Sequence, residues 1–407
     1  MSHDDDYPRL RPLEARPSRR QVEAVELFDP SGIATSALTV SRPTLFILSR
    51  MDGRHSRADI QAAFMLRHQR MLFSDELCDL IRQLDESLFL QGPAFDRHMD
   101  ALTSAYRNAP ARTVRDPDGF GVEAAALAGY LDRILSTHPP ERDEAARGRV
   151  RGLVAPHLDY SRGAPCYSAA YRDLARRTDA ERFVILGTNH FGRARSVVGT
   201  SKDFETPLGR VPCDVAFMNR LSERCKSDLT RFEYDHLAEH SVELQVVLLQ
   251  RLLGDRSFSI VPFLCPDVCG PNGTAAPDGG ADLRVFAEAL GDLIRADGVT
   301  TCVIAGADLS HVGAYFQDHR PLSEDALAQV SAYDRAALAR LAGGRPEDFR
   351  AGVTAAANET NICSVGCLYA LGVAMGTGAE GRLLEYHQAV TREIENCVTC
   401  AALEWVQ

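Results

Sequence analysis

The chain lacks several features that would assign it to a broad class. No apolar stretch approaches the roughly eighteen residues of a membrane span, which argues against a transmembrane helix. Positive charge is not in excess either, because 45 Lys and Arg stand against 56 Asp and Glu, for a net charge of -11. Nucleic acid is therefore not expected as the main partner, since phosphate binding needs a basic surface. Residues 1–6 are acidic and lack the apolar core of a signal peptide.

The eleven cysteines show no spacing typical of a small disulfide-bonded scaffold. This usage indicates a reducing environment, and we expect a cytoplasmic protein. Cys397 with Cys400, and Cys363 with Cys367, could together imitate a four-thiolate zinc site. The first pair falls in a strand-like run, however, where residues three apart face opposite sides. We interpret all four as buried, free cysteines that act as small apolar side chains.

Changes in composition predict four segments. The first 20 residues are polar and rich in proline and arginine, and we expect them to be disordered. Residues 21–92 form a small helical domain, residues 93–115 a linker, and residues 116–407 an α/β domain.

The small domain combines helix-start signals with short apolar strands. Ser56 and Asp59 have the spacing of a capping box, and a further helix begins at Ser74. Strand-like runs flank the helices at 26–32 and 88–90. This order resembles PqqD-like winged-helix modules, and the resemblance implies binding of a leader peptide or a partner protein. The alternative is a small helical domain that only packs on its neighbour.

In the larger domain, short apolar strands alternate with helices, which predicts an α/β fold with a mixed, largely parallel sheet flanked by helices. The predicted strands lie near residues 150–155, 183–187, 196–200, 259–264, 302–307, 382–390 and 397–405. The predicted helices lie near residues 164–177, 213–224, 240–253, 281–296, 322–341 and 361–375.

Histidines follow two of these strands directly. His157 comes after the run 153–155, and His190 comes after the run 183–186. The carboxyl ends of parallel strands meet at one edge of a sheet, where ligands bind. Neutral imidazoles gathered there are suitable ligands for a divalent transition metal. We therefore expect His157 and His190 to share a site.

Two further segments carry polar groups suited to the same cleft. His240 and Glu243 are three residues apart on a predicted helix and share a face, so they could support the site or contact a substrate. Asp308 and His311 follow the strand at 302–307, where Asp308 could orient a ligand and His311 could transfer a proton. The alternatives are an ordinary helix start and a buried pair that closes a loop.

Five short motifs, in order and spacing, resemble the Memo family over about residues 116–407. They are Ala155-Pro156-His157, Leu186-Gly187-Thr188-Asn189-His190, the run Glu239 to Glu243, the run Asp308 to His311, and Asn361-Ile362-Cys363. Memo proteins are similar in structure to class III (LigB-type) extradiol dioxygenases, whose non-haem iron is held by two histidines and a carboxylate. The resemblance implies that His157 and His190 bind metal and that His311 corresponds to the acid/base histidine.

The resemblance also implies a third ligand on the penultimate strand, where animal Memo proteins have a cysteine. Alignment puts Thr391 or Arg392 at that position, and neither replaces a thiolate. Glu393 lies closest to the aligned position, and a carboxylate there would complete a site with two histidines and one carboxylate. Glu395 and His387 are the alternatives, because a slip of one residue reverses the face of a strand.

Together these features predict a cytoplasmic, Fe(II)-dependent oxidoreductase that acts on a small molecule or a modified peptide, with copper as the alternative metal. A non-catalytic adaptor that binds metal or peptide through a vestigial site is the rival hypothesis. A metal-dependent hydrolase is less favoured, because the chain has no HExxH motif.

Overall fold

The computed structural model describes residues 6–18, 24–29, 32–114, 123–137, 148–316, 318, 320–376 and 378–407. It divides into two compact units, Met1–Asn108 and Ala109–Gln407. Within the described residues, no helix has both the length and the apolar character needed to cross a membrane.

Among its described residues, the first unit contains a three-stranded antiparallel sheet followed by the helices given below. Its strands are β1 (Glu14–Pro17), β2 (Ala24–Phe28) and β3 (Leu38–Ser41), paired in sequence order. Its helices are α1 (Arg42–Leu48), α2 (Arg57–His68), α3 (Ser74–Glu86) and α4 (Pro93–Asn108). Ser56 and Asp59 form the expected capping box at the start of α2. A buried cluster that includes Ile60, Leu77 and Leu84 holds the helices to the sheet.

Two of the predicted segments differ from the structure. The expected disordered tail contributes β1, and the buried ion pair of Arg11 with Asp29 ties the residues before β1 to the unit. The expected linker contains α4, whose Phe95 and Met99 are buried one helical turn apart. Residues 88–90 form only an isolated bridge, Leu10 with Leu90, in place of a closing strand.

The second unit contains an eight-stranded mixed sheet and a three-stranded sheet. The large sheet comprises β5 (Val150–Ala155), β6 (Arg182–Thr188), β7 (Val198–Gly199), β10 (Ser259–Cys265), β11 (Thr301–Gly306), β12 (Asp308–Val312), β13 (Gly381–Thr391) and β14 (Asn396–Val406). The small sheet comprises β4 (Ala111–Thr113), β8 (Asp203–Thr206) and β9 (Gly209–Val211). The helices are α5 (Ala124–Leu135), α6 (Ala164–Arg177), α7 (Val215–Cys225), α8 (Glu243–Leu253), α9 (Leu283–Ala296), α10 (Glu324–Ala342), α11 (Pro346–Ala355) and α12 (Val365–Met375).

The strands β5, β11, β6 and β10 lie side by side and parallel in the middle of the large sheet. Their residues alternate between two apolar cores: Phe183 and Ile185 face one core, and Val184 and Leu186 the other. Helices α5, α6 and α8 cover the first face, and α7 and α9 to α12 cover the second. Burial on both faces explains why these strands are continuous apolar runs. The parallel strands therefore end together at one edge.

The long strand β14 extends this sheet. One of its edges pairs with β13 along most of its length, while β5 and β12 share the other. Because β12 pairs with β14 beyond the end of β5, residues 308–312 run past the edge where the parallel strands stop. Helix α11 and strands β8, β9 and β12 are absent from the sequence prediction.

Candidate metal centre

Three histidines meet at the carboxyl edge of the parallel strands. The ring centroids of His157 and His190 are 4.8 Å apart, and that of His240 lies 5.5 Å from the first and 5.4 Å from the second. His157 follows β5, His190 follows β6, and His240 precedes α8. The topology thus gathers imidazoles that are separated by up to 83 residues in the chain.

His157 is buried and held in one tautomer. Its Nδ1 lies 2.9 Å from the carbonyl oxygen of Gly306, which can only accept a hydrogen bond, so Nδ1 carries the proton. The Nε2 lone pair is then available to a metal. Burial, followed by the neighbouring imidazoles of His190 and His240, lowers the pKa of His157 well below 6.5. The ring is therefore neutral at neutral pH, as a metal ligand must be.

Glu239 orients His190. The Nδ1 of His190 lies 3.1–3.2 Å from both carboxylate oxygens, and the backbone N–H groups of His190, His240 and Ser241 also donate to them. Burial opposes the charged carboxylate, but the contacts from His190 and His240 outweigh it and lower the pKa of Glu239. A carboxylate that accepts Nδ1–H leaves Nε2 of His190 free on the other side of the ring, an arrangement common behind metal-bound histidines.

Cys363 supplies a third donor, which the sequence interpretation missed. It lies just before α12, and its Sγ is 3.5 Å from Nε2 of His157. One ligand atom from each of His157, His190 and Cys363 lies within 4.8 Å of the others. The sequence signal for this donor is the Asn361-Ile362-Cys363 motif, to which the resemblance by itself assigns no role in metal binding. Burial raises the pKa of this thiol well above 9.0, so a bound cation would have to displace its proton.

The expected third ligand does not join this group. Glu393 is exposed on a short 3-10 helix, Arg392–Ile394, where the chain turns between β13 and β14. Glu395 is also exposed, and His387 lies within β13. In the part of the chain that the structure describes, none of the three belongs to a group of side chains spaced for a metal ion. The third donor atom of this group therefore comes from the segment just before α12 and not from the penultimate strand.

Asp308 contacts His157. Its Oδ1 accepts the backbone N–H of His157 at 3.0 Å, and its Oδ2 is 3.6 Å from Nε2 of the same residue. Burial raises the pKa of Asp308 to about 7. The carboxyl group can therefore exchange a proton near neutral pH.

His311 lies further along β12. Its Nδ1 is 3.0 Å from the carbonyl oxygen of Leu309 and 3.2 Å from that of Asn361, so Nδ1 carries the proton and Nε2 keeps a lone pair. Burial lowers the pKa of His311 to about 4. The ring is thus neutral at pH 7 and able to accept a proton.

Glu243 was expected on one helix face with His240, and the structure pairs it with an arginine. Its carboxylate is buried and forms an ion pair at 2.6 Å with Nη1 of Arg112, on β4. The same guanidinium donates to the carbonyl oxygens of His236 and Glu239. Glu243 therefore helps to fix the segment that carries Glu239 and His240.

His236 in that segment gives a pH prediction. Its Nε2 donates to the carbonyl oxygen of Val198 at 3.1 Å, and burial lowers its pKa from 6.5 to about 3. Between these pH values the unfolded chain binds a proton that the folded chain does not, so stability falls as pH falls. We expect His236→Gln, which keeps an N–H donor, to reduce this slope by at most about 1.4 kcal/mol per pH unit. Urea unfolding between pH 6.5 and 5 measures it, and parallel slopes for variant and wild type would contradict it.

The fold and the clustered histidines define an α/β protein with a histidine-rich site at the ends of its parallel strands. A family model described as Memo-like protein matches residues 122–404. The chain is 25% identical over 290 residues to a MEMO1 family protein of Aquifex aeolicus, covering 71% of this chain and 72% of that protein. It is 31% identical over 242 residues to a MEMO1 family protein of Methanopyrus kandleri, covering 58% and 75%. The chain belongs to the Memo-like family, which confirms the resemblance.

Among solved structures, an uncharacterized protein of Escherichia coli K12 matches with a TM-score of 0.37 and 16% identity, covering 63% of this chain and 99% of that one.

Proposed function

We propose that this Memo-like protein is a non-haem iron-dependent oxidoreductase whose metal is held by His157, His190 and Cys363. The observation that carries the proposal is that two imidazole nitrogens and one sulfur converge within 4.8 Å. Imidazole accepts iron and copper alike and thiolate suits both, so copper is the alternative. When bound, such an ion supplies Lewis-acid and redox chemistry to a substrate in an open coordination position.

The chain's own residues would perform the remaining steps. Gly306 and Glu239 hold the two ring tautomers that leave Nε2 free. The neutral imidazole of His311 accepts a proton from the substrate at Nε2, and Asp308 exchanges a proton near neutral pH. His240 stacks on His190 at an interplanar angle of 19° and limits how that ring can turn.

Oxygen consumption tests this proposal. We expect protein reconstituted with Fe(II) to consume oxygen with a catechol, and His311→Gln to reduce the rate about 100-fold or more. His55→Gln is the matched control, because His55 is a partly exposed histidine of the first unit that pairs with Asp52. Catalysis that is unaffected by His311→Gln, or independent of iron, would contradict the proposal.

A peptide-binding adaptor is the second candidate function. The first unit exposes four large apolar side chains within one short stretch: Met65, Leu66, Met71 and Phe73. Exposed apolar groups of this kind mark interaction surfaces, and they favour a partner protein or a leader peptide. Stoichiometric peptide binding without oxygen consumption would support this function over catalysis.

A further inference from the structure

Ser364 contacts the sulfur of the candidate metal centre. It follows Cys363 in the chain, it is fully buried, and its Oγ lies 3.2 Å from Sγ of Cys363. Two further polar groups meet the same oxygen: the backbone N–H of Asp308 donates to it at 3.1 Å, and Oγ1 of Thr188 lies 3.1 Å away. One hydroxyl therefore links the cysteine to the end of β6 and the start of β12.

The place of Ser364 in the chain would ordinarily give its hydroxyl another use. It directly precedes α12, where a serine side chain typically accepts a backbone N–H of the first helical turn and stabilises the helix. Here the side chain makes no such capping bond. The hydroxyl contacts the residues of the site in place of the helix, which favours a role at the site.

The hydrogen of this hydroxyl has two acceptors within reach. It can point to Oγ1 of Thr188 or to Sγ of Cys363, since a hydroxyl hydrogen rotates to suit its partners. A metal-bound cysteine is a negatively charged thiolate, and a charged acceptor forms the stronger hydrogen bond. The N–H of Asp308 occupies one lone pair of the Ser364 oxygen, so Thr188 can donate to the other. With a thiolate present, all three hydrogen bonds therefore form together.

The other polar contacts of this sulfur within the described residues have no proton to donate. Nε2 of His157, 3.5 Å away, is the nitrogen left for the metal, because the ring proton is on Nδ1. The carbonyl oxygen of Asp308, at 4.0 Å, can only accept. Among these contacts, the hydroxyl of Ser364 is therefore the one that can donate to a metal-bound sulfur.

We propose that the Ser364 hydroxyl donates a hydrogen bond to the metal-bound thiolate of Cys363 and thereby favours the reduced form of the ion. The inference rests on the proposed function, because it requires a metal held by Cys363. A hydrogen bond draws electron density from a coordinating sulfur, so the sulfur donates less to the metal and the reduction potential rises. Fe(II) is then favoured over Fe(III), and Fe(II) is the form that the proposed oxygen chemistry needs.

Substitution of the full chain with Co(II) tests the proposal by spectroscopy. In wild type we expect a sulfur-to-cobalt charge-transfer band, and a cobalt–sulfur stretching frequency that shifts in D₂O because deuterium replaces the hydroxyl hydrogen at the sulfur. Ser364→Ala should lose this isotope shift, move the band to longer wavelength and weaken Co(II) binding by about 10- to 100-fold. Ser364→Thr keeps a hydroxyl and should keep the isotope shift. Circular dichroism checks that each variant is folded.

Ser168→Ala is the matched control. Ser168 is also fully buried, but it lies on α6 and its hydroxyl donates to the carbonyl oxygen of Leu135. Its spectra and Co(II) affinity should equal those of wild type. An isotope shift and a band that persist unchanged in Ser364→Ala would overturn the proposal and leave the metal centre in place, and loss of the isotope shift in both alanine variants would also overturn it. Wild type that binds Co(II) without a sulfur-to-cobalt band would refute Cys363 as a ligand, and this inference with it.

Discussion

Alanine at position 157 or 190 is expected to abolish stoichiometric iron binding while leaving the fold intact. Each substitution removes one of three donors, and the loss should exceed the 10- to 100-fold cost typical of removing a residue that only orients a ligand. Both side chains lie at the edge of the sheet and outside its apolar cores, so the strands keep their packing. Elemental analysis of purified, reconstituted protein measures the iron, and circular dichroism measures the fold.

Elemental analysis of two further variants identifies the third metal ligand. We expect Cys363→Ala to lose iron as the histidine variants do, and Glu393→Ala to bind like wild type, because Glu393 is exposed and outside the group. The pKa of the Cys363 thiol lies above 9.0, so binding must release its proton, and affinity should rise about tenfold per pH unit near neutrality. Any weak iron binding that remains in Cys363→Ala should lack this dependence. Iron retained in Cys363→Ala but lost in Glu393→Ala would restore a carboxylate as the third ligand.

The parallel strands and their helices could be predicted closely from the sequence. Strand β5 and helix α6 have the predicted bounds, 150–155 and 164–177, because buried strands are continuous apolar runs and helices repeat their apolar residues with a helical period. The meeting of His157 and His190 follows from the same pattern, since parallel strands end at one edge. Short elements such as β8, β9 and β12 carry too few residues for a period to be visible.

Partners far apart in the chain could not be predicted in this way. Cys363 is separated from His157 by 206 residues, and no periodicity in either segment encodes their distance. The third ligand was expected on the penultimate strand because alignment placed it there. In the structure this part of the chain is the hairpin turn Arg392–Ile394, which has no buried residues. Arg112 fell within a segment predicted to be a linker, where an arginine is normally solvated and gives no sign of burial.

Arg112 and Glu243 form an ion pair whose two side chains are 0% and 3% exposed. We expect Arg112→Met to lower the free energy of unfolding by about 3–5 kcal/mol, because Glu243 would keep a buried charge without its main partner. The carbonyl oxygens of His236 and Glu239 would also lose the hydrogen bonds that Arg112 donates. Urea unfolding followed by circular dichroism measures the change.

A second variant separates the buried charge from the loss of the ion pair itself. Replacing both residues, as Arg112→Met with Glu243→Leu, removes both charges, and apolar pairs of similar volume are often as stable as buried ion pairs. We expect the double variant to recover much of the lost stability but not all of it, since the two carbonyl groups still lack the hydrogen bonds from Arg112. Arg251→Met is the control, because Arg251 pairs with Asp132 at the surface and should cost less than about 1 kcal/mol. If Arg112→Met were as mild as this control, Arg112 would not be what fixes residues 236–243, and the orientation of Glu239 behind His190 would need another cause.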